Sequence, residues 1–403
     1  MKRHVVVYLL WRQDVQYWRN ATFYQRMRAL ATHFRLVLLG RHGVRVCHDL
    51  ADQLVIQQCP IPRFTGGRLA ILGEVLYLGW LVFAVLWYSR LQPSRCLVYT
   101  FQGLEATPAA VLAFLGYRWV ADIVDLPEEQ FLTVRPRGLR GWLGYLIRRA
   151  HLWVIRRSLH RAALVSTIGW SEQSGLAPYL LQRYQVPQDR LISLPNGVDA
   201  RIIEEGVGRP RELGRFRVFY VGSVVPRLGA NVVLRAVALA RRRIPELTLT
   251  LAGPVPRFYA QEFESLVRKL GLNDIITVHG KLDSPRVLAE IRDTDVCLYP
   301  FLQGEGVDET IPIKVFEYLA LGRPLIASDL AGVRPLLVDG ENALLVPPGD
   351  ETALADALVR LYKDVALWER LSLSGPKVAR NFDWPRLNEP LITRVAELTM
   401  GSR

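Results

Sequence analysis

The chain has 403 residues, 50% of them hydrophobic, with 51 Arg+Lys against 38 Asp+Glu and a formal net charge of +13. That length predicts two domains with substantial cores, and the lack of any low-complexity tract excludes a disordered tail or linker. Four scattered cysteines, Cys47, Cys59, Cys96 and Cys297, show no CxxC spacing, which excludes a disulfide framework and fits buried thiols in a reducing compartment.

"MKRHVVVYLL" opens with an apolar segment too short for a signal peptide and lacking a small-residue cleavage site, so it reads as a first strand. Strand candidates follow at "RLVLLG" (35–40), "QLVIQQ" (53–58), "CLVYTF" (96–101), "WVADIVD" (119–125), "ALVSTI" (163–168) and "LISLP" (191–195). Between the second and third, His42, Cys47 and His48 lack a second ligand pair at zinc-like distance, and no metal is expected. After a connector at 201–214 the pattern restarts with "FRVFYVG" (216–222), "LTLTLAG" (247–253), "IITVHG" (275–280), "DVCLYPF" (295–301), "PLIASD" (324–329) and "ALLVPP" (343–348). Apolar β-branched runs alternating with helical patterns predict α/β architecture: two doubly wound, Rossmann-like domains facing a cleft, with ligand at the carboxyl ends of the strands.

Charge is unevenly spread, since residues 1–200 carry 24 Arg+Lys against 12 Asp+Glu while the remainder carry 27 against 26. Such asymmetry points the first half towards an anionic partner. A compositional reading stands beside it, because only six of the 51 basic residues are lysine. Residues 70–88, "AILGEVLYLGWLVFAVLWY", contain Glu74 as their one charge and are long enough to span a bilayer. Spanning would put the strands on either side of the segment across a membrane from each other, so a non-spanning helix, buried or facing the interface, is expected. "RPRGLRGWLGYLIRRAHLWVIRRSLHR" (135–161) sets Arg148, Arg149 and further arginines among Trp142 and Trp153, which suits either an anionic bilayer surface or an ordinary solvated helix. No nucleic-acid motif accompanies the charge.

The stretch "DETIPIKVFEYLALGRP" (308–324) separates Glu309 from Glu317 by seven residues. Pro312 fits a first helical turn and Gly322 and Pro324 a helix end, which predicts a helix over 311–320. Its first amides, at Ile313, Lys314 and Val315, together with the Lys314 charge form an anion site flanked by carboxylates. A ligand with hydroxyls at both ends and phosphate between them, a sugar nucleotide, matches that arrangement.

The E-x7-E spacing of "ETIPIKVFE", its continuation "KVFEYLALGRPLIASDLAGV", and "LPNGVD" (194–199), "VFYVGSV" (218–224) and "LAGP" (251–254), in that order, resemble the retaining GT-B glycosyltransferases of family 4, glycosyl transferases group 1. The resemblance covers about residues 190–385. It implies that Glu317 binds the ribose hydroxyls, that Glu309 contacts the transferred sugar, and that Gly222, Ser223, Arg227, Ile313, Lys314, Val315 and Asn196 line the donor site, a turn before the connector being an equal reading of Asn196. It also implies that no metal or other cofactor is required, the leaving diphosphate being met by cations and amides. The chain departs from the family where the usual arginine after the strand-end glycine is Ser223 and the usual lysine is Leu228; Arg227 is the candidate replacement. A rival signal, Asp293-Thr294-Asp295, resembles the metal-holding Asp-x-Asp of another glycosyltransferase fold, but it lies ahead of an apolar run as a turn would.

In the first domain, "ADIVDLPEE" (121–129) brings Asp122 and Asp125 to a strand end, and Asp125 is a candidate to orient the acceptor hydroxyl or a helix cap. Arg12 and Arg19, in the loop after the first strand, are candidates to meet an anionic acceptor. The expectation is a catalytic set of Glu309, Asp125 and Lys314 in a retaining, hexosyltransferase-like enzyme. Residues 1–205 form an acceptor-binding, membrane-associated domain, 206–385 a nucleotide-sugar-binding domain, and 386–403 a helix packing back on the first. The acceptor is a glycan or lipid-linked sugar of cell-surface polysaccharide or glycolipid synthesis, gathered by Arg12, Arg19, Arg148, Arg149 and Trp153 at the inner face of the cytoplasmic membrane. A non-catalytic scaffold of glycan assembly and a sugar-nucleotide epimerase on the same fold are the alternatives.

Overall fold

The computed structural model describes residues 3–11, 21–46, 48–61, 67–93, 96–101, 104–125, 138–206, 208–212, 214–304 and 310–400. They divide into two units, Met1–Pro195 with Pro385–Arg403 and Asn196–Trp384.

The first unit contains strands β1 (Arg3–Trp11), β2 (Phe34–Gly40), β3 (Leu54–Gln58), β4 (Cys96–Phe101), β5 (Arg118–Ile123), β6 (Leu164–Ile168) and β7 (Leu191–Leu194), interleaved with helices α1 (Thr22–His33), α2 (His48–Ala51), α3 (Gly67–Tyr88), α4 (Ala106–Phe114), α5 (Gly138–Ser158) and α6 (Ala177–Arg183). All pairs are parallel, in the order β3-β2-β1-β4-β5-β6-β7. Near-continuous apolar runs such as "CLVYTF", buried at every position of β4, are what a strand covered on both faces requires. One face is covered by α3 to α6, through Leu81, Val85, Leu112, Ile155 and Leu180. The other is covered by α1, through Tyr24, Met27 and Leu30, and by Leu391 and Val395 of the last helix. β3 and β4 lie in one sheet, and α3, between them in the chain, turns Tyr77 and Leu81 into the core beneath it. Among the described residues, no helix is long and apolar enough to cross a membrane.

The second unit begins with α7 (Ala200–Glu204). Strands β8 (Phe216–Val221), β9 (Leu247–Ala252), β10 (Ile276–Gly280), β11 (Val296–Tyr299), β12 (Leu325–Ser328) and β13 (Leu344–Val346) follow, with α8 (Ala230–Arg241), α9 (Arg257–Lys269), α10 (Ser284–Asp293) and α11 (Ile313–Ala320) between them and α12 (Glu351–Lys363) and α13 (Val365–Ala379) after them. The sheet is parallel, in the order β10-β9-β8-β11-β12-β13. Capping sets several boundaries: the Arg286 amide donates to Asp283 at the start of α10, and the Thr352 and Ala353 amides to Asp350 at the start of α12.

The unit boundary falls at Asn196, ahead of the expected 205. The Val198 amide donates to Phe382 O (2.9 Å) and the Trp384 amide to Val198 O (3.3 Å), pairing Val198 in parallel with Asp383 inside the second unit. Beyond that point the last helix, α14 (Trp384–Met400), joins the core of the first unit.

Candidate functional site

In the second sheet the strand order reverses between β8 and β11, and the crevice past the carboxyl ends of such a pair is where open α/β sheets hold ligands. β8 ends in Tyr220-Val221, followed by Gly222 at φ +142°. A Cβ at Gly222 would stand 2.8 Å from Lys314 Nζ and 2.9 Å from Tyr220 Oη, so glycine leaves this corner open for the lysine. The chain then makes a 3-10 turn over Pro226–Leu228 and enters α8 through Gly229 at φ +84°, where a Cβ would meet Pro300 O at 1.9 Å. That glycine brings the start of α8 against the end of β11.

On the β11 side, α11 carries the two expected ligand-binding side chains. Lys314 Nζ donates to Val221 O at 2.7 Å and is enclosed by rings, with Phe301, Tyr220 and Tyr299 centroids at 4.4, 4.8 and 5.9 Å. Desolvation lowers its pKa to about 7, and the charge of Glu317 works against that fall. Glu317 lies three residues on, on the same helix face, and is buried. Val221 N donates to Tyr318 Oη (3.2 Å), so α11 is fastened to the end of β8 by two side chains through one residue's amide and carbonyl.

The helix begins at Ile313, later than expected: Pro312 is the N-cap residue, in extended conformation with ψ 154°. Of the three amides expected at its start, that of Val315 is taken, donating to Pro312 O at 3.1 Å. Asn196 is buried and its Nδ2 donates to Ile311 O at 3.0 Å, tethering the segment that leads into α11. Ser223 and Arg227 are exposed, and Arg227 is near enough to Tyr220 to oppose the rise in that hydroxyl's pKa caused by burial.

Asp293 and Asp295 sit at the opposite, amino end of β11. Arg209 reaches Asp293 at 2.8 Å, Arg217 also pairs with it, and the Arg217 amide donates to Asp295 at 2.7 Å. Burial pushes the Asp295 carboxyl up to about 6, against the opposing charges of Arg209, Arg215, Arg323 and Arg211. The pair is thus committed to holding a strand start.

In the first unit, Asp122 points into the core, ion-paired with Arg26 and accepting from Tyr99 Oη (3.1 Å) and Ser166 Oγ (3.0 Å). β5 ends at Ile123, so Asp125 lies just past it, with an accessible side chain whose pKa the surrounding protein nonetheless raises by desolvation. Arg149 and Trp153 are exposed on α5 and Arg148 is half-buried. Glu309, Arg12 and Arg19 lie outside the described residues. The ring enclosure of Lys314 has no signal in the sequence, because Tyr220 meets Tyr299 and Phe301 only through the pairing of β8 with β11.

Residues 215–364 match the model of the family described as Glycosyl transferases group 1. The chain is 33% identical over 196 residues to a phosphatidyl-myo-inositol mannosyltransferase of Mycobacterium leprae, covering 48% of this chain and 50% of that one. It is 27% identical over 219 residues to a D-inositol 3-phosphate glycosyltransferase of an Arthrobacter species, covering 52% and 51%. The chain thus spans about half the length of the curated relatives it matches. Among solved structures, that of Anabaena Alr3699/HepE in complex with UDP and glucose superposes with TM-score 0.68 at 16% identity, over 98% of this chain and 100% of that one. A sucrose-phosphate synthase of Thermosynechococcus elongatus gives 0.68 at 19% over the same shares. At such identities the likeness is one of fold, and the fold is GT-B, two Rossmann-like parallel-sheet units.

Proposed function

We propose that this GT-B chain, with its glycosyl transferases group 1 domain, moves a hexose from a nucleotide-diphosphate sugar, with retention, to a lipid-linked or glycan acceptor in glycolipid or cell-surface polysaccharide synthesis. The observation that carries the reading is the Lys314–Glu317 pair on α11, set against the carboxyl end of β8 where the strand order reverses. The names of the mannosyl- and inositol-phosphate glycosyltransferase relatives support the acceptor class.

In this mechanism Glu317 accepts hydrogen bonds from the ribose hydroxyls and fixes the nucleotide. The bond from the anomeric carbon to the diphosphate oxygen breaks, the acceptor oxygen ends bonded on the same face, and the proton of the acceptor hydroxyl leaves on the released diphosphate. Negative charge developing on the diphosphate is met by Lys314 and Arg227 and by the amides of Ile313 and Lys314, in a corner kept open by Gly222 and edged by Ser223 and Val315. These groups supply the cationic role without a metal. Glu309 is assigned a hydroxyl of the transferred sugar and Asn196 the support of the α11 entry. In the first unit, Asp125 is assigned the acceptor hydroxyl and Arg12, Arg19, Arg148, Arg149 and Trp153 the anionic acceptor and its membrane, the inner face of the cytoplasmic membrane, where the protein is peripheral.

Calorimetry with UDP, GDP and ADP and their sugars, without added metal, tests the donor site. One diphosphate binds at micromolar concentration and Glu317→Ala weakens it by about 100-fold, as loss of a charge-assisted pair of hydrogen bonds predicts. If none binds, Ser223 and Leu228 outweigh the glutamates and the scaffold reading replaces this one.

A further inference from the structure

α3, α4 and α5 form one layer over the first sheet, and their outer side is apolar. Phe83, Trp87, Phe114, Trp142, Leu146 and Trp153 are each more than half exposed. On the other face of the same sheet, no large hydrophobic side chain of α1 or α14 among the described residues is exposed to that degree. Scattered exposed hydrophobics need no explanation, but a set gathered on three neighbouring helices marks a contact surface.

The chemistry of the partner follows from the charges around it. α4 and α5 contain no Asp or Glu, and the one carboxylate of α3, Glu74, is ion-paired with Arg41. Arg149, Arg156 and Arg157 are exposed on α5. Arg157 lies over the Trp153 ring at 5.3 Å and Arg161, just past α5, over the Phe114 ring at 4.6 Å. These guanidinium groups therefore stand level with the aromatic side chains. A second copy docking by the same face would set arginine against arginine with no carboxylate between them. An anionic bilayer offers hydrocarbon for the rings and phosphate for the arginines at adjoining depths.

We propose that the outer side of the α3–α4–α5 layer inserts into the interface of an anionic bilayer, with the apolar side chains below the phosphates and the arginines among them. This names the surface through which the proposed lipid-linked acceptor is met and in that respect rests on the reading above; the docking itself stands on the helices alone. Burial of several aromatic side chains makes the attachment mainly hydrophobic, so it persists in molar salt, while anionic lipid strengthens it.

The test is co-sedimentation of the full chain with vesicles of phosphatidylcholine alone and of phosphatidylcholine with phosphatidylglycerol, at low salt and in molar NaCl. Binding to the mixed vesicles survives molar NaCl, and the double change Phe83→Asp with Trp87→Asp lowers the partition coefficient at least about tenfold while nucleotide binding by calorimetry is unchanged. Brominated phosphatidylcholine in the mixed vesicles quenches the fluorescence of the unaltered protein, and Trp87→Phe and Trp153→Phe each remove part of that quenching, a readout that needs no disruptive variant. Failure to sediment with either vesicle, release by molar NaCl, or a dimer dissociated by Phe83→Asp overturns the proposal. Vesicle binding without nucleotide binding would sink the donor-site reading and leave this surface standing; nucleotide binding without vesicle binding would do the reverse.

Discussion

Each unit holds a cation and a carboxylate near the point where its strand order reverses, and the two pairs are built for opposite ends. In the first unit Arg26 of α1 and Asp122 of β5 are both wholly buried, and Tyr99 and Ser166 complete the carboxylate's hydrogen bonds. In the second unit Lys314 and Glu317 share one helix beside the end of β8, and the lysine has a carbonyl and three rings for company. The first arrangement encloses its charges in the sheet, as a strut does. The second holds an amine at a strand end, its pKa lowered to about 7 by desolvation, within the donor site proposed above.

Breaking the strut should have the largest effect. Arg26→Met leaves Asp122 charged in a dry core, which costs about 3–5 kcal/mol in chemical denaturation of the first unit. Adding Asp122→Leu removes the stranded charge and recovers most of that loss; equal destabilisation by single and double variants would count against the pair acting as a closed unit. The matching test of the second unit is Gly229→Ala, which forces a left-handed residue to place its Cβ 1.9 Å from Pro300 O. The strain and clash should lower stability by about 2–4 kcal/mol, seen as a fall in Tm, and loosen nucleotide binding by displacing the start of α8 from β11. A variant as stable as the parent would mean that this corner adapts, and that the contrast between a rigid and a responsive pair is wrongly drawn.

The strands were legible because a parallel strand covered on both faces is an apolar β-branched run, and "CLVYTF" at Cys96–Phe101 was found to the residue. The helix that carries Glu317 starts two residues later than its pattern predicts, because Pro312, which fits a first turn, stands in extended conformation ahead of it. The enclosure of Lys314 was not legible: Tyr220 and Tyr299 lie far apart in the chain and meet only because β8 and β11 are sheet neighbours. Asp122 and Asp125 looked alike at a strand end, yet one lies within β5 facing the core and the other beyond its last residue. Nothing in residue spacing separates a buried strut from an exposed carboxylate when the sequence does not fix the strand end. α3 shows a related limit, because a helix apolar all round gives no period from which to tell its core face from its outer face.

The smallest effect, and the one that sharpens the contrast most, is on pH dependence. Lys314 has its pKa lowered from 10.5 to about 7 by burial. Between those values the unfolded chain holds a proton that the folded one lacks, so this group's contribution makes stability rise with pH across that window and leaves it flat below. On the proposed donor-site reading, nucleotide binding runs the other way. A diphosphate favours the protonated amine, so affinity should be level below about pH 7 and weaken above it, by at most about tenfold per pH unit until the pKa of the complex is passed. Lys314→Arg keeps a charge that does not titrate in this range, so calorimetry on that variant isolates the ligand's own titration as the baseline. A slope present in the parent and absent from the arginine variant identifies the amine as the responsive member. The same slope in both would mean that Lys314 keeps one protonation state throughout and, like Arg26, serves as a strut.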